Sequence, residues 1–475
     1  MSIHRFQITA GPTSGAAVHA DLSTDDVWVL AESLDLGEPD VSFDRAGIPI
    51  EGARTISASV HIKGTGVEAG VVMQQIARAI SLPGRWLLIQ REPSTDPVWF
   101  RLHPASPGSL DIDRAWVDRK DGFFTWQLAL VVDSTAVGER RTIPQRGSSS
   151  ATSVIPNSGT VRGVAIDAPG EAPTPLRIDL KPDVALNGRR PLVSCFSVPW
   201  DSPLLNAAGD APQIVFEDSE WTPGAGATRT TGSTFLSGGT GLSATTDTTA
   251  TRTILGDGLS SWRPEPGRYL VLARLYREGG IAEAEIRFGQ RWFSATSWQE
   301  WRTYRPVVTN DGGWRSSWLV LGYLQHPMGD TGEGLDPAEL MPPAISVELR
   351  PTVTHATNKI HFDQFAFVPV ELARGAMCTA TFAQFEPGVG YGSISTLRFD
   401  AEHRRAAIVD NFGSYHAVPQ PLRTGGRSVA VPGMATCVSV FLDTSDRPTD
   451  IESISILSDL TISAAPRVLH LGQER

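Results

Sequence analysis

The chain has 475 residues, of which 41% are hydrophobic and 20% charged, as is typical of globular cores, and its formal net charge is −11. This acidic balance argues against a protein that binds nucleic acid or an anionic membrane, because such partners require clustered lysine and arginine. No run of 18 or more apolar residues occurs, so we expect no membrane insertion, and the length predicts about three domains.

The first 145 residues predict an α+β domain. Segments 54–63 and 124–133 alternate apolar and polar residues, as half-buried strands do. Between them a helical stripe is formed by Val72, Ile76, Ala79 and Ile80. A Pro-Gly pair at 83–84 ends this helix, and "RWLLIQ" begins the next strand. Antiparallel strands with one packed helix are therefore expected here.

The rest of the chain predicts β-structure alone. Residues 146–160 are rich in serine and read as a linker. Strand-like segments without a helical stripe between them indicate a β-sandwich of jelly-roll type over 161–371. Further short strands predict a C-terminal β-sandwich domain over 372–475. The predicted fold class is thus mainly β: an N-terminal α+β domain, a central β-sandwich and a C-terminal β-domain.

The three cysteines and the N-terminus indicate where the protein folds. Cys195, Cys378 and Cys437 are odd in number, far apart and without CxxC spacing. This is typical of buried free thiols in a reducing cytosol, and not of disulfides or a zinc site. The N-terminus lacks the basic and long apolar regions of a secretory signal. We therefore expect folding in a cytoplasm.

The segment 358–371 reads as a strand with a carboxylate at its centre, Asp363. Strict alternation assigns its residues to two largely apolar faces: Ile360, Phe362, Ala366 and Val368 on one, and His361, Asp363, Phe365 and Phe367 on the other. Asp363 is open to three interpretations, namely catalysis, metal binding, or a position at the rim of a module.

Three acids are candidates for chemistry: Glu217, Asp218 and Asp363. A polysaccharide hydrolase needs two carboxylates facing each other across a sugar. However, the first and last strands of a jelly roll lie side by side, and oxygen ligands brought together at one edge suit a structural Ca²⁺ better than proton transfer. Solvated acids at strand ends are the third interpretation. Since GxSxG, HExxH and P-loop motifs are absent, no catalytic residue is predicted, and calcium is the one candidate cofactor.

Six of the thirteen tryptophans fall between residues 262 and 318. Aromatic rings stack on the apolar faces of sugars, and a neighbouring arginine donates hydrogen bonds. Trp298, Trp301 and Arg302 lie in a polar, loop-like segment and are the candidate carbohydrate contacts. Tryptophans in a sandwich are also typical of a core, and both interpretations stay open.

Three stretches resemble the distal tail proteins of long-tailed bacteriophages. Residues 51–89, with "RTISASVHIKG" and "VVMQQIARAI", resemble the family's ring-forming N-terminal domain. Residues 122–142, with "FTWQLALVVD", are similar to the strand that closes that domain. Residues 394–417, together with "VAVPGMATCVSVFLD", resemble its C-terminal β-domain, and 161–371 looks like a carbohydrate-binding-type jelly roll carried by some members.

The resemblance implies a structural minor tail protein of the virion and not an enzyme. It implies a homo-oligomeric ring, usually a hexamer, at the tail tip. The ring would contact the tail tube protein, the tape-measure protein and the baseplate hub protein, and would assemble in the host cytoplasm. The central module is a candidate for contact with a host glycan. Two alternatives stay open: a stand-alone carbohydrate-binding protein, based on the tryptophans, and a polysaccharide depolymerase, based on the three acids.

Overall fold

The computed structural model describes residues 3–43, 49–103, 123–147, 161–182, 192–217, 220–232, 236, 239–255, 265–278, 283–291, 300–304, 317–326, 344–382, 396–403, 405–410, 412–417, 422–423, 429–441 and 457–469. Within this part the chain is mainly β, as predicted, with antiparallel sheets and one α-helix. The chain forms two compact units. The first comprises Met1–Arg141, Ala168–Thr174 and Ser463–Arg475, and the second comprises Thr142–Asp167 and Pro175–Ile462.

The first eleven strands and the helix occupy the N-terminal part of the chain. Their bounds are β1 Arg5–Thr9, β2 Val18–Asp21, β3 Val27–Val29, a 3₁₀ turn Ala31–Ser33, β4 Val41–Phe43, β5 Pro49–Glu51, β6 Ala53–Lys63, α1 Gly66–Ser81, β7 Trp86–Gln90, β8 Val98–Arg101, β9 Phe123–Asp133, β10 Ala136–Val137 and β11 Arg141–Thr142.

The remaining strands follow in order. Their bounds are β12 Val161–Asp167, β13 Thr174–Pro182, β14 Leu192–Val198, β15 Val215–Glu217, β16 Thr228–Thr231, β17 Thr240–Thr245, β18 Arg252–Leu255, β19 Gly267–Glu278, β20 Glu283–Arg291, β21 Glu300–Tyr304, β22 Ser317–His326, β23 Ala344–Val353, β24 Lys359–Leu372, β25 Ala376–Phe382, β26 Thr396–Asp400, β27 Arg405–Val409, β28 Tyr415–Ala417, β29 Leu422–Arg423, β30 Val429–Ala430, β31 Ala435–Phe441, β32 Leu457–Ala464 and β33 Arg467–Val468.

The first unit packs one helix against two sheets, with strand orders β2-β1-β7-β8-β10-β33 and β3-β6-β9. The alternation predicted for β6 is confirmed, because the four residues of its apolar stripe are buried: Ile56, Ala58, Val60 and Ile62. The helix stripe is confirmed as well, with Ile76, Ala79 and Ile80 buried in the same core and Val72 packed at its margin. Local periodicity therefore sufficed to place these elements.

The start of α1 is fixed by a capping box. The hydroxyl of Thr65 accepts a hydrogen bond from the backbone N–H of Glu68, and the Glu68 carboxylate accepts one from the backbone N–H of Thr65. These bonds satisfy backbone donors that a helix N-terminus leaves without intrahelical partners. Gly64 precedes the cap at φ +128°, a conformation that side chains disfavour, which explains the glycine in this turn.

The second unit contains a sandwich of two sheets, β16-β17-β24-β19-β22 with β15 beside β24, and β18-β23-β20-β21. Two further sheets have the orders β12-β31-β14-β25-β29 and β11-β32-β13-β26-β27-β28. Strands β12 to β14 thus pair with strands near the C-terminus, so the predicted ranges 161–371 and 372–475 cut across these sheets. Strand partners distant in sequence cannot be read from local periodicity.

Two further findings bear on the sequence predictions. Cys195 and Cys437 are buried, as expected, and burial raises the pKa of the Cys437 thiol well above its usual value. Among the described residues, no helix combines the length and apolar character needed to cross a membrane.

Replacing Thr65 by alanine removes the cap of α1. We expect the free energy of unfolding of the first unit to fall by about 1 kcal/mol, because one donor at the helix start loses its partner. Equilibrium urea unfolding measures this change. Thr13→Ala, at an exposed threonine outside the helix, is the matched control and should leave the midpoint unchanged. Equal effects of the two substitutions would contradict the capping role.

Candidate functional site

The strand that carries Asp363 contains a β-bulge at that residue. In the pairing of β19 with β24, Arg274 lies opposite Gln364 and Leu275 lies opposite Phe362, so Asp363 is the extra residue on β24. A bulge inserts one residue and resets the alternation of side chains between the two faces. The predicted strict alternation across 358–371 is therefore wrong beyond Asp363.

Aromatic contacts confirm this shift of faces. The rings of Phe362 and Phe365 stack with centroids 6.0 Å apart, although uninterrupted alternation would put them on opposite faces. Trp221 packs against both Phe365 and Phe367, with centroids 5.0 and 5.9 Å away. One face of β24 is thus continuously aromatic, and the bulge allows polar residues to collect on the other.

The polar face of the bulge is built around a buried ion pair. Arg274 Nη1 donates to Asp363 Oδ2 over 2.6 Å, and both side chains are 1% exposed. Arg274 faces the bulge because it lies in the neighbouring strand β19, opposite Gln364, the residue after Asp363. A buried charge is stable in a protein interior when an opposite charge and hydrogen bonds compensate it. The Arg274 guanidinium therefore compensates the buried carboxylate of Asp363.

Glu217 lies beside this pair. The predicted adjacency of the first and last strands of the sandwich is confirmed, since β15 pairs with β24 and Glu217 is opposite Gln364. Gln364 Nε2 donates to Glu217 Oε1 over 2.6 Å, and the backbone N–H of Glu217 donates to Glu220 Oε2 over 2.9 Å. The carboxylate of Glu217 thus belongs to the same polar group of side chains as the bulge.

This arrangement favours a structural role for Asp363. A general acid or base must exchange a proton with substrate, whereas the Asp363 carboxylate is buried against a permanently charged guanidinium. The positive charge of Arg274 also opposes a divalent cation at the same carboxylate. Calcium binding by Glu217, Asp218 and Asp363 stays a prediction, and Asp218 lies outside the described residues.

The predicted carbohydrate contacts are described only in part. Trp298 lies outside the described residues. Trp301 and Arg302 belong to β21, opposite Gly289 and Phe288 of β20, and the structure describes their backbone alone. The glycan contact therefore stays a prediction.

Sequence reasoning missed Arg274. Its signal was present, because an arginine in the apolar strand 267–278 has no reason to be there without a buried partner. The partner could not be identified from the sequence, since Asp363 is 89 residues away.

Within the described part of the chain, one group of side chains has ligand atoms close enough to hold a metal ion: Asp400, Glu402 and His403, all within 4.8 Å of one another. The Asp400 oxygens already accept hydrogen bonds from His403 Nδ1 and from Arg177 Nη2. Burial raises the pKa of Asp400, but the His403 bonds and the Arg177 charge outweigh it, and the net effect is a lower pKa. The contacts with His403 and Arg177 therefore explain this buried carboxylate without a metal ion.

The first unit exposes apolar side chains on α1. Val67 is 80% exposed and Val71 is 50% exposed. Residues four apart lie on one face of a helix, so these valines form a stripe on the side away from the core. Val18, 47% exposed, lies on the edge strand β2, which contacts α1. We call Val18, Val67 and Val71 the valine surface.

Comparison with known proteins gives no family assignment. No protein-family model and no curated protein matches the chain. Among solved structures, it is similar to the crystal structure of SPP1 Dit (gp 19.1), a hub adsorption apparatus protein of phages that infect Gram-positive bacteria. The identity is 13%, 76% of this chain and 98% of that chain are covered, and the TM-score is 0.20.

The chain is also similar to a Paenibacillus xanthan lyase, with 11% identity, 95% of this chain and 52% of that chain covered, and a TM-score of 0.23. TM-scores this low carry no argument about function.

Substituting the two members of the buried pair, singly and together, tests the structural role of Asp363. We expect Asp363→Leu or Arg274→Met alone to lower the free energy of unfolding by about 3–5 kcal/mol, because each leaves one buried charge uncompensated. The double variant should lose far less than the sum, since neither charge remains. Urea unfolding of all four proteins measures the coupling.

The exposed pair Arg252–Asp247 is the matched control, and the same cycle there should show little coupling because solvent screens it. Additive losses at Arg274 and Asp363 would contradict the account.

Proposed function

We propose that this chain is a structural protein of a phage tail tip, of the distal tail type, that self-associates into a ring between the tail tube and the baseplate hub. The observation that carries the proposal is the valine surface of the first unit, whose side chains are exposed to solvent in the single chain. The sequence resemblance of segments 51–89 and 122–142 to a ring-forming domain supports it independently.

A contiguous exposed apolar patch is typical of a surface that a partner covers. The valine surface combines a helix face with the edge strand β2, and an edge strand presents unpaired backbone groups that another chain can use. Val67 and Val71 on one unit, docked against a different surface of the next, would form a heterologous contact. Repeated by rotation, such contacts close into a ring.

A hexamer, with the tail tube protein, the tape-measure protein and the baseplate hub as neighbours, is the assembly that the resemblance implies and that we propose. The virion would be its final location. We also propose that the chain has no catalytic activity, since the buried Asp363 carboxylate is paired with Arg274.

Val67→Glu/Val71→Glu tests the ring. We expect the wild-type chain to form a defined oligomer and the variant to be monomeric. Withdrawing two valines from an interface costs about 3 kcal/mol, roughly a hundredfold in dissociation constant. Sedimentation velocity measures the mass. The variant should still fold as a monomer, because both valines are exposed in the isolated unit.

Val353→Glu, at an exposed valine of the second unit, is the matched control and should leave the oligomer intact. A wild-type chain that stays monomeric at every concentration, or a double variant that still assembles, would contradict the proposal.

The central sandwich is proposed as an accessory module that contacts a host glycan through Trp298, Trp301 and Arg302. We expect binding on a glycan array to disappear in Trp298→Ala and in Trp301→Ala, because each removes a stacking surface for a sugar ring. Trp28→Ala, which removes a tryptophan stacked on His61 in the first unit, is the control that should retain the signal. Binding unaffected by the first two substitutions would refute these contacts.

A further inference from the structure

A buried arginine in the first unit has donors that no described residue satisfies. Arg54 lies in β6, on the same face as Ile56 and the rest of the apolar core, and is 4% exposed. Its guanidinium carbon lies 4.5 Å from the centroid of the Phe100 ring. Nη1 donates to the backbone carbonyl of Leu469 over 3.2 Å. Among the described residues, Nε and Nη2 have no hydrogen-bond partner.

The two unsatisfied donors lie on one edge of the guanidinium. Nε–H and the neighbouring Nη2–H point in parallel and match the two oxygens of a carboxylate, a sulfate or a phosphate. Burial alone lowers the pKa of Arg54 to about 10, which reflects a charge removed from water without a compensating anion. Burying two charged donors in this way is costly.

Two other arginines of the chain show what this edge binds. Arg374 uses Nε and Nη2 to hold the two carboxylate oxygens of Glu265, at 3.0 and 2.6 Å. Arg398 uses the same two atoms to hold Asp179, at 2.7 and 2.8 Å. In both, an oxyanion occupies the edge that is unsatisfied in Arg54.

A buried hydroxyl lies on the same face of this strand pair. Arg54 is opposite Val132 in the pairing of β6 with β9, and the backbone N–H of Ser134 donates to the carbonyl of Gly52, which extends the same register. Ser134 and Arg54 are therefore diagonal neighbours on one face. Ser134 is fully buried, and its Oγ has no hydrogen-bond partner among the described residues.

Two described carboxylates on neighbouring segments have other contacts. Asp133 follows Val132, so it faces the opposite side of the sheet from Arg54, where its Oδ1 contacts His103 Nε2. Glu171 Oε2 accepts a hydrogen bond from the backbone N–H of Leu469. Neither carboxylate forms a hydrogen bond with Arg54.

We propose that Arg54 and Ser134 form a binding site for a single oxyanion, with the anion held by Nε–H and Nη2–H of Arg54 and by the hydroxyl of Ser134. The chemistry is that of a carboxylate or a tetrahedral oxyanion. Its source is either a free ion or an acidic side chain from a second copy of the chain. An anion from either source would accept the hydrogen bonds of the unsatisfied donors on the inner face of β6 and β9, and would thereby stabilise the first unit.

Equilibrium urea unfolding of the full-length chain in sodium sulfate and in sodium chloride of equal ionic strength tests the site. For a free ion, the wild-type midpoint should rise with sulfate concentration, because a ligand that binds only the folded state stabilises it. For an acidic side chain of a second copy, the midpoint should rise with protein concentration, and sulfate should give only the general stabilisation that its exclusion from protein surfaces causes. Arg54→Met should keep only that general effect of sulfate and the concentration dependence that the proposed ring gives.

Arg54→Lys keeps the charge but lacks the two-donor edge, and Ser134→Ala removes the hydroxyl. Each should therefore weaken the affinity for the oxyanion by about tenfold. These milder variants keep the test valid if Arg54→Met does not fold. Arg146→Met, at an exposed arginine, is the matched control and should respond as the wild type does. The proposal is overturned if the wild-type midpoint responds to sulfate and to protein concentration no more than that of Arg54→Met does.

Discussion

The pairing of β6 with β9 is the constraint on which the first unit depends. Eleven residues of β6 pair with β9 in unbroken register. This register puts the apolar residues of both strands on one face, where α1 packs against them. Because that helix buries one stripe, Val67 and Val71 are left on the outside. The same register puts Arg54 and Ser134 on the inner face. Both the valine surface and the proposed oxyanion site therefore follow from one strand pair.

In the second unit, the bulge at Asp363 has the corresponding role. One extra residue in β24 lets Phe362, Phe365 and Phe367 line a single aromatic face. It also turns Asp363 toward Arg274 on the other face. The carboxylate that the sequence left open to catalysis, metal binding or a rim position thus pairs with a buried arginine in a strand buried on both sides.

Periodicity predicted the local elements well. Strands β6 and β9 agree with the predicted segments to within one residue, and the helix α1 contains the predicted stripe, because each repeats its apolar residues with a regular period. The failures have physical causes. A bulge leaves no mark on an alternating pattern, so the faces of 358–371 were wrongly assigned. The described strands that pair with β12, β13 and β14 lie more than 170 residues away in the sequence. The hydrogen bond between Arg177 and Asp400, 223 residues apart, is an example.

The candidate sites were likewise predictable only in part. The adjacency of the strands carrying Glu217 and Asp363 was predictable from jelly-roll topology, but Arg274 was not, since a charge partner is set by tertiary packing. Arg54 gave no sequence signal at all, because an arginine at the start of a strand is ordinary until its burial is known.

The account's central claim is that this chain associates with copies of itself through the first unit. Negative-stain electron microscopy of the purified chain tests this most directly. The account predicts class averages of closed rings with rotational symmetry around a central channel. Fields of isolated single subunits, on grids prepared from a concentrated sample as well as from a dilute one, would contradict it.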